Sequence, residues 1–197
     1  MRGLGGNAPW LLRDGSIATI RSVNSADAPG LQRFIRNLSS ASRYLRFLMG
    51  IRELPEDMLF QFTHPAANGE AVLLATTAHA GIIGMTQYVV DDDDRDGCEF
   101  AIVVSDAWQR QGLGYRMLQA LGRFAADSGI RYGHAAVLAD NYAMRSLAHK
   151  LGCEIRVNAQ APYLLQIRKQ FDLAHAMPTR SSLGQAADTG RRALNWR

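Results

Sequence analysis

The stretch CEFAIVVSDAWQRQGLG, residues 98–114, decides how this chain folds. An apolar run, Phe100 to Val104, ends in a polar turn, and Gln109-Arg110-Gln111-Gly112-Leu113-Gly114 follows. Leu113, Met117, Leu118, Leu121, Phe124 and Ala125 then recur along one face of a helix. A strand, a glycine turn and a helix start, in that order, make an anion site. The first backbone N–H groups of the helix have no intrahelical partner, and the helix dipole adds partial positive charge there. Two glycines let a phosphate approach the main chain without meeting a Cβ. The same residues also suit a plain tight turn from strand to helix.

The spacing excludes the common nucleotide loops. A phosphate loop needs a lysine and a hydroxyl after its second glycine, but Gly114 is followed by Tyr115 and Arg116. A dinucleotide fingerprint needs a third glycine where Met117 stands.

Gln109–Gly114 with its preceding strand resembles the acyl-CoA pyrophosphate loop of GCN5-related N-acetyltransferases (GNAT). The resemblance implies acetyl-CoA as co-substrate, held by main-chain groups of Arg110, Gln111, Gly112, Leu113, Gly114 and Tyr115. A second block, HAAVLADNYAMRSLAHKLGC at 134–153, carries an Asn just after a strand, Asn141, and a Leu-Gly ending at Leu151-Gly152. The family's aromatic is replaced there by Cys153. Asn141 is thus a candidate cofactor contact; the other reading is that Asp140 or Asn141 simply caps the helix. Leu12–Ser16, Ile20-Arg21, Asp27-Ala28 and SSASRYLRF at 39–47 resemble one bacterial branch, the protein-lysine acetyltransferases that modify AMP-forming acyl-CoA synthetases. The resemblance spans roughly residues 11–171. It implies an α/β (α+β) fold with a mixed, mostly antiparallel central sheet flanked by helices. The fourth and fifth strands would part to receive the acyl-CoA.

The chemistry sets two requirements. A lysine amine has a pKa of roughly 10.4, so only about one in a thousand is neutral near pH 7.4, a cost of about 4 kcal/mol. A general base must take its proton, and the developing oxyanion must be stabilised. Glu99 interrupts the apolar strand that leads to the loop, where several protein acetyltransferases of this superfamily place their base. An ordinary outward-facing strand Glu is the other reading. Main-chain N–H groups at Val103 or Val104, freed by a bulge as in many superfamily members, would meet the thioester. Many members also have a Tyr in the 141–151 helix that protonates the leaving thiolate; here the matching residue is Ala148. A thiolate of pKa about 8.5 leaves without much help. No activated nucleophile is apparent, so the resemblance implies direct attack in a ternary complex.

Composition narrows the remaining choices. Cys98 and Cys153 are the only cysteines, and no histidine pair has metal-ligand spacing, so neither a disulfide framework nor a metal site is expected. The acidic run Asp91–Asp94 lacks EF-hand spacing and suits a solvated hairpin loop. The net charge of +4 owes three units to residues 174–197, which leaves the rest nearly neutral and argues against a nucleic-acid surface. No run of apolar residues is long enough for a membrane span, and the N-terminus lacks the apolar core of a secretory signal; a cytoplasmic protein is expected.

A flexible segment at 1–10, an acetyltransferase domain at 11–173 and a disordered basic tail at 174–197 complete the organisation. Strands are expected at 16–23, 71–78, 82–90, 98–104, 130–138, 153–158 and 162–171. Helices are expected from Asn24 or Ser25 to about Leu38, from Ser39 or Ser40 to Phe47, from Pro55 to about Thr63, after Gly112, and over 141–151. Arg43 and Arg46 either meet acidic groups of a protein acceptor or are solvated, with Tyr44 and Phe47 in the core. Two other functions stay open: acetylation of a small-molecule amine, and a non-catalytic acyl-CoA sensor.

Overall fold

The computed structural model describes residues 9–12, 14–65 and 69–172. The expected tail at 174–197 and residues 1–8 of the expected flexible segment lie outside the described residues. Eight strands form one sheet: β1 (Trp10–Leu11), β2 (Ile17–Ser22), β3 (Glu70–Thr77), β4 (Gly81–Val90), β5 (Gly97–Val104), β6 (Tyr132–Leu138), β7 (Glu154–Val157) and β8 (Leu164–Gln170). Their order is β1-β2-β3-β4-β5-β6-β8-β7. Every neighbouring pair is antiparallel except β5 and β6. The helices are α1 (Ala28–Asn37), α2 (Ser40–Phe47), α3 (Glu56–Thr63), α4 (Leu113–Asp127) and α5 (Tyr142–Lys150).

The helix starts follow local chemistry. Asn24 and Asp27 form a capping box over the short 3-10 turn Ser25–Asp27 that leads into α1, with each side chain accepting a backbone N–H at 2.9 Å. Arg21 holds Asp27 from β2 with two hydrogen bonds of 2.6 and 2.7 Å. Pro55 precedes α3, where a missing N–H costs nothing. Arg43 donates to the carbonyls of Arg36, Leu38 and Ile51, so it ties the end of α1 to the loop after α2. Tyr44 is exposed while Phe47 is buried, so only one of the two aromatics joins the core.

The sheet separates two apolar layers. On one face α4 and α5 bury Cys98, Phe100, Leu113, Met117, Leu121, Ala148 and Ile167. On the other, α1, α2 and α3 cover Val72, Leu74, Met85 and Val103. Period-two alternation therefore sends the even residues of β5 toward α4 and the odd ones, Glu99, Ala101 and Val103, toward α1–α3.

One feature differs from the sequence reading. Trp10 and Leu11 pair with Ala18 and Ile17, so part of the segment expected to be loose is an edge strand. The acidic loop is solvated as expected, with Asp92, Asp93, Asp94 and Asp96 exposed, and surface contacts tie it down. His134 Nε2 lies 2.9 and 3.0 Å from the Asp91 carboxylate oxygens, Tyr132 donates to Asp94 at 2.5 Å, and Arg131 pairs with Asp96 at 3.5 Å. These contacts moor the β4–β5 loop to β6.

Candidate active site

β5 and β6 pair over three residues only, Gly97↔Tyr132, Cys98↔Gly133 and Glu99↔His134, and then part. Asp91 N–H bonds to Gly97 O at one end of the β4–β5 ladder, and Ser105 N–H to Ile83 O at the other. The odd residues of β5 thus exchange hydrogen bonds with β4, and the even residues turn their N–H and C=O groups to the opposite edge. Beyond Glu99 no strand meets that edge, so the main-chain groups of Ile102 and Val104 face the opening. The register with β4 runs unbroken from Gly84↔Val104 to Val90↔Cys98. The free donors therefore arise from divergence of β6, not from the bulge expected in β5. Val103 directs its amide to Met85 of β4, so of the two expected donors only Val104 faces the opening, and Ile102 joins it.

The opening is the waist of a cleft of about 1360 Å³, lined on one side by Arg110, Gly112, Gly114, Tyr115 and Asn141 and on the other by Arg46, Glu70, Gln87 and Glu99. The two glycines differ in role. Gly112, at the N-cap of α4, has φ +84° with open space around a would-be Cβ, so it is needed for backbone conformation. A Cβ on Gly114 would lie 3.2 Å from Leu147 Cδ2, so this glycine serves the close packing of α4 on α5. Arg110 adopts φ +59°, an uncommon conformation for a residue with a Cβ. The first intrahelical bond of α4 is Arg116 N–H to Gly112 O at 3.3 Å. The amides of Leu113, Gly114 and Tyr115 are thus left for a ligand at the mouth of a 15-residue helix.

A polar strut fixes this loop against α2. Ser39 N–H and Oγ donate to Asp106 at 2.9 and 2.7 Å, and Ser42 Oγ donates to it at 2.8 Å. Gln109 Nε2 lies 3.1 Å from both Ser42 Oγ and Val104 O. Partial burial works to raise the Asp106 carboxyl, but the hydrogen bonds from Ser39 and Ser42 prevail and hold it below its ordinary value. Gln111 donates to Ala107 O at 3.2 Å, and its side-chain carbonyl is buried without a partner.

Glu99 is exposed on the α1–α3 side of the sheet. Glu70 stands two strands away on the same face, through the register Glu70↔Val89↔Glu99, and burial pushes its carboxyl up. Gln87, neighbour of Ala101, has a buried Oε1 without a partner. The sequence reading missed Glu70 and Gln87, because only strand register shows that they share a face with Glu99.

Asn141 caps α5, accepting Met144 N–H at 3.0 Å, and also borders the cleft. Ala148 is fully buried, so the position of the missing Tyr belongs to the core. Tyr115 borders the cleft and its hydroxyl accepts from Gln119 at 3.1 Å, whereas Tyr142 is exposed at the rim. Burial, aided by the Asp91 charge, pushes the Cys98 thiol up to about 12, and burial also raises Cys153. Neither supplies a thiolate at neutral pH. Among the described residues no three His, Cys, Asp or Glu side chains converge as metal ligands. No helix among them is long and apolar enough to cross a membrane.

A split parallel pair, free strand amides and an uncapped helix mouth together form a receptor for an extended, phosphate-bearing thioester. The Acetyltransferase (GNAT) domain profile matches residues 18–154, and the chain belongs to that family. It is an acetyltransferase with acetyl-CoA as co-substrate. Its relatives include Acetyltransferase PA5475 of Pseudomonas aeruginosa, 28% identical over 144 residues, which are 72% of this chain and 77% of that protein. The L-methionine sulfoximine/L-methionine sulfone acetyltransferase of the same species is 28% identical over 176 residues, covering 84% and 98%. Among solved structures, the GNAT domain of S. lividans PAT superposes with a TM-score of 0.78 at 25% identity, covering 86% of this chain and 99% of that one.

Proposed function

We propose that this chain transfers the acetyl group of acetyl-CoA to a lysine side chain of a cytoplasmic protein of the acyl-CoA synthetase type, by direct attack in a ternary complex. Amides from Arg110 to Tyr115 at the α4 mouth bind the pyrophosphate, with Asn141 beside them. The N–H of Val104, with that of Ile102, holds the thioester carbonyl and then its oxyanion. Bound acetyl-CoA supplies the activated acyl carbon. Glu99 accepts the ammonium proton directly or through one water, and the amine nitrogen forms the new C–N bond. The thiolate departs and takes a proton from solvent, because Ala148 offers none. The observation that carries this reading is the position of Glu99: an exposed carboxylate at the last paired residue before the split, in the same cleft as the helix mouth. High thiol pKa values support direct attack over an acetyl-enzyme.

The volume of the cleft, which runs from α2 residues Ser42, Leu45 and Arg46 to the α4 mouth, supports a bulky acceptor. The relative that acts on methionine sulfoximine or sulfone favours a second acceptor class, a small amino acid. Intact-mass analysis separates them. Incubated with acetyl-CoA and this protein, a purified AMP-forming acyl-CoA synthetase should gain one acetyl group. If instead it stays unmodified while methionine sulfone is acetylated, the protein-lysine reading is overturned.

A further inference from the structure

Two buried polar groups on the acceptor side of the cleft have no partner. The first is on Arg46, which α2 brings to the cleft wall where it packs on β5. Its Nε and Nη2 are buried and make no hydrogen bond, and no carboxylate stands within ion-pair distance among the described residues. Solvation, one of the two expectations for Arg46, therefore fails. The guanidinium lies 4.8 Å from the Phe47 ring centroid and 5.8 Å from that of Phe62. These rings recover only part of the cost of burying a charge. Burial pulls Arg46 down to about 10, with the Glu99 charge acting against it, so it stays cationic at neutral pH. Arg46 is one helical turn beyond Ser42, whose hydroxyl meets Gln109 Nε2, and Gln109 in turn reaches Val104 O. This face of α2 therefore meets β5 next to the thioester site.

The second group is on Gln87. The residue is 6% exposed, borders the cleft from β4, and its Oε1 has no partner. Gln87 is opposite Ala101 and Val89 is opposite Glu99, so Gln87 lies diagonal to Glu99 on the same face. Buried polar groups are nearly all paired in native folds, so a donor and an acceptor orphaned on one wall call for a ligand.

The pair defines what would fill it. Nε with Nη2 is the fork that matches a carboxylate, and a buried cation calls for an anion. The Gln87 carbonyl needs an N–H donor. A dicarboxylic acyl chain on CoA would bring a carboxylate but no N–H, whereas an amine acceptor with a carboxylate close by brings both. We propose that Arg46 and Gln87 form an acceptor subsite selective for such amines: the Arg46 fork binds the carboxylate, and the Gln87 carbonyl accepts an N–H of the amine. The Gln87 amide turns about a soft terminal torsion and Arg46 has several torsions, so both reach a ligand without backbone movement. Glu70 and Glu99 on the same wall repel a third carboxylate, and Arg46 supplies the compensating charge. The attraction strengthens as the acceptor expels water. The proposal rests on amine acetylation in this cleft. The carboxylate belongs to an acidic residue beside a protein lysine or is the α-carboxylate of a free amino acid.

The test compares acceptors in matched pairs. An AMP-forming acyl-CoA synthetase is used as it is and with each acidic residue beside its acetylated lysine exchanged for the amide. Methionine sulfone is set against its carboxamide. The kcat/KM of each acceptor is measured for the parent, Arg46→Met, Arg46→Lys and Gln87→Met, with melting and the acetyl-CoA Kd to establish that each variant folds. The parent should favour the acid over the amide by about tenfold or more in one of the pairs, the size of a charge-assisted hydrogen-bonded pair. Arg46→Met should bring that ratio to within about twofold, because the fork is gone. Arg46→Lys should keep part of the ratio, and the acetyl-CoA Kd should not change. Gln87→Met should raise the acceptor KM for acid and amide alike. A preference seen in the synthetase assigns the carboxylate to a protein acceptor, and one seen only with methionine sulfone assigns it to a free amino acid; either supports the subsite. Equal use of acid and amide by the parent, or a ratio unchanged in Arg46→Met, overturns the proposal while amine acetylation stands. No acetylation of any acceptor, with acetyl-CoA still bound, overturns the proposed function and this proposal with it.

Discussion

Replacing Glu99 with Gln removes the proposed base at almost constant shape. The side chain is exposed on β5, so the fold should lose no more than about 0.5 kcal/mol. Catalysis should lose far more. Near pH 7.4 a free lysine is neutral about once in a thousand molecules, and a positioned base typically contributes about 10²–10⁴-fold. The barrier should therefore rise by about 3–5 kcal/mol. Without the base, the amine must deprotonate unaided. The residual rate should then climb about tenfold per pH unit until roughly pH 10, near the pKa of lysine. Acetyl-CoA affinity should hold, because Glu99 faces α1–α3 while the α4 mouth lies across the sheet. Initial rates of CoA release across that pH range, with calorimetric Kd values, check each part. A variant within about threefold of the parent at pH 7.5 would refute the reasoning, since a base worth that little falls below the range for positioned bases.

Gly112→Ala should cost about 1 kcal/mol of stability, because φ +84° penalises a Cβ even where space is open; it should also weaken acetyl-CoA binding several-fold, as read by melting and calorimetry. Asp106→Ala should release the strut between α2 and the loop, at about 1 kcal/mol or a few degrees of Tm. The Asp106 carboxyl is depressed in the fold, so its contribution is complete above its unfolded value of about 3.9 and is lost as pH falls through its lower folded value. The parent and Asp106→Ala melting curves should therefore converge only in strong acid, and convergence near neutral pH would contradict the assignment.

Local chemistry made most elements legible before any coordinates. Asn24 or Ser25 before α1, Ser39 or Ser40 before α2, Pro55 before α3 and the apolar stripe of α4 each announce a boundary or a face. What escaped the sequence depends on non-local partners. A strand as short as Trp10–Leu11 has no periodicity to read. β7 lies outside β8, an order that no residue in either strand encodes alone. The site shows the same division. The helix mouth follows from Gly112, yet the role of Gly114 depends on Leu147 from a distant helix. Glu99 stood out as a charge in an apolar run, whereas Arg46 resembled a solvated helix residue until β5 and Phe62 were in place around it. The bulge expected near Val103 is absent from the β4 ladder, and the donors it would have freed are exposed instead by the early end of the β5–β6 pairing.

The central claim is that acetyl-CoA enters where β5 and β6 part and lies against the mouth of α4. Hydrogen–deuterium exchange of the full chain, with and without saturating acetyl-CoA, tests it most directly. The account predicts new protection confined to the free edge at 102–104 and to the loop and first turn at 110–115. Protection of the separate cavity between α1 and the β3–β4 turn, lined by Arg21, Arg33, Gly81 and Trp108, with the split left unchanged, would contradict it.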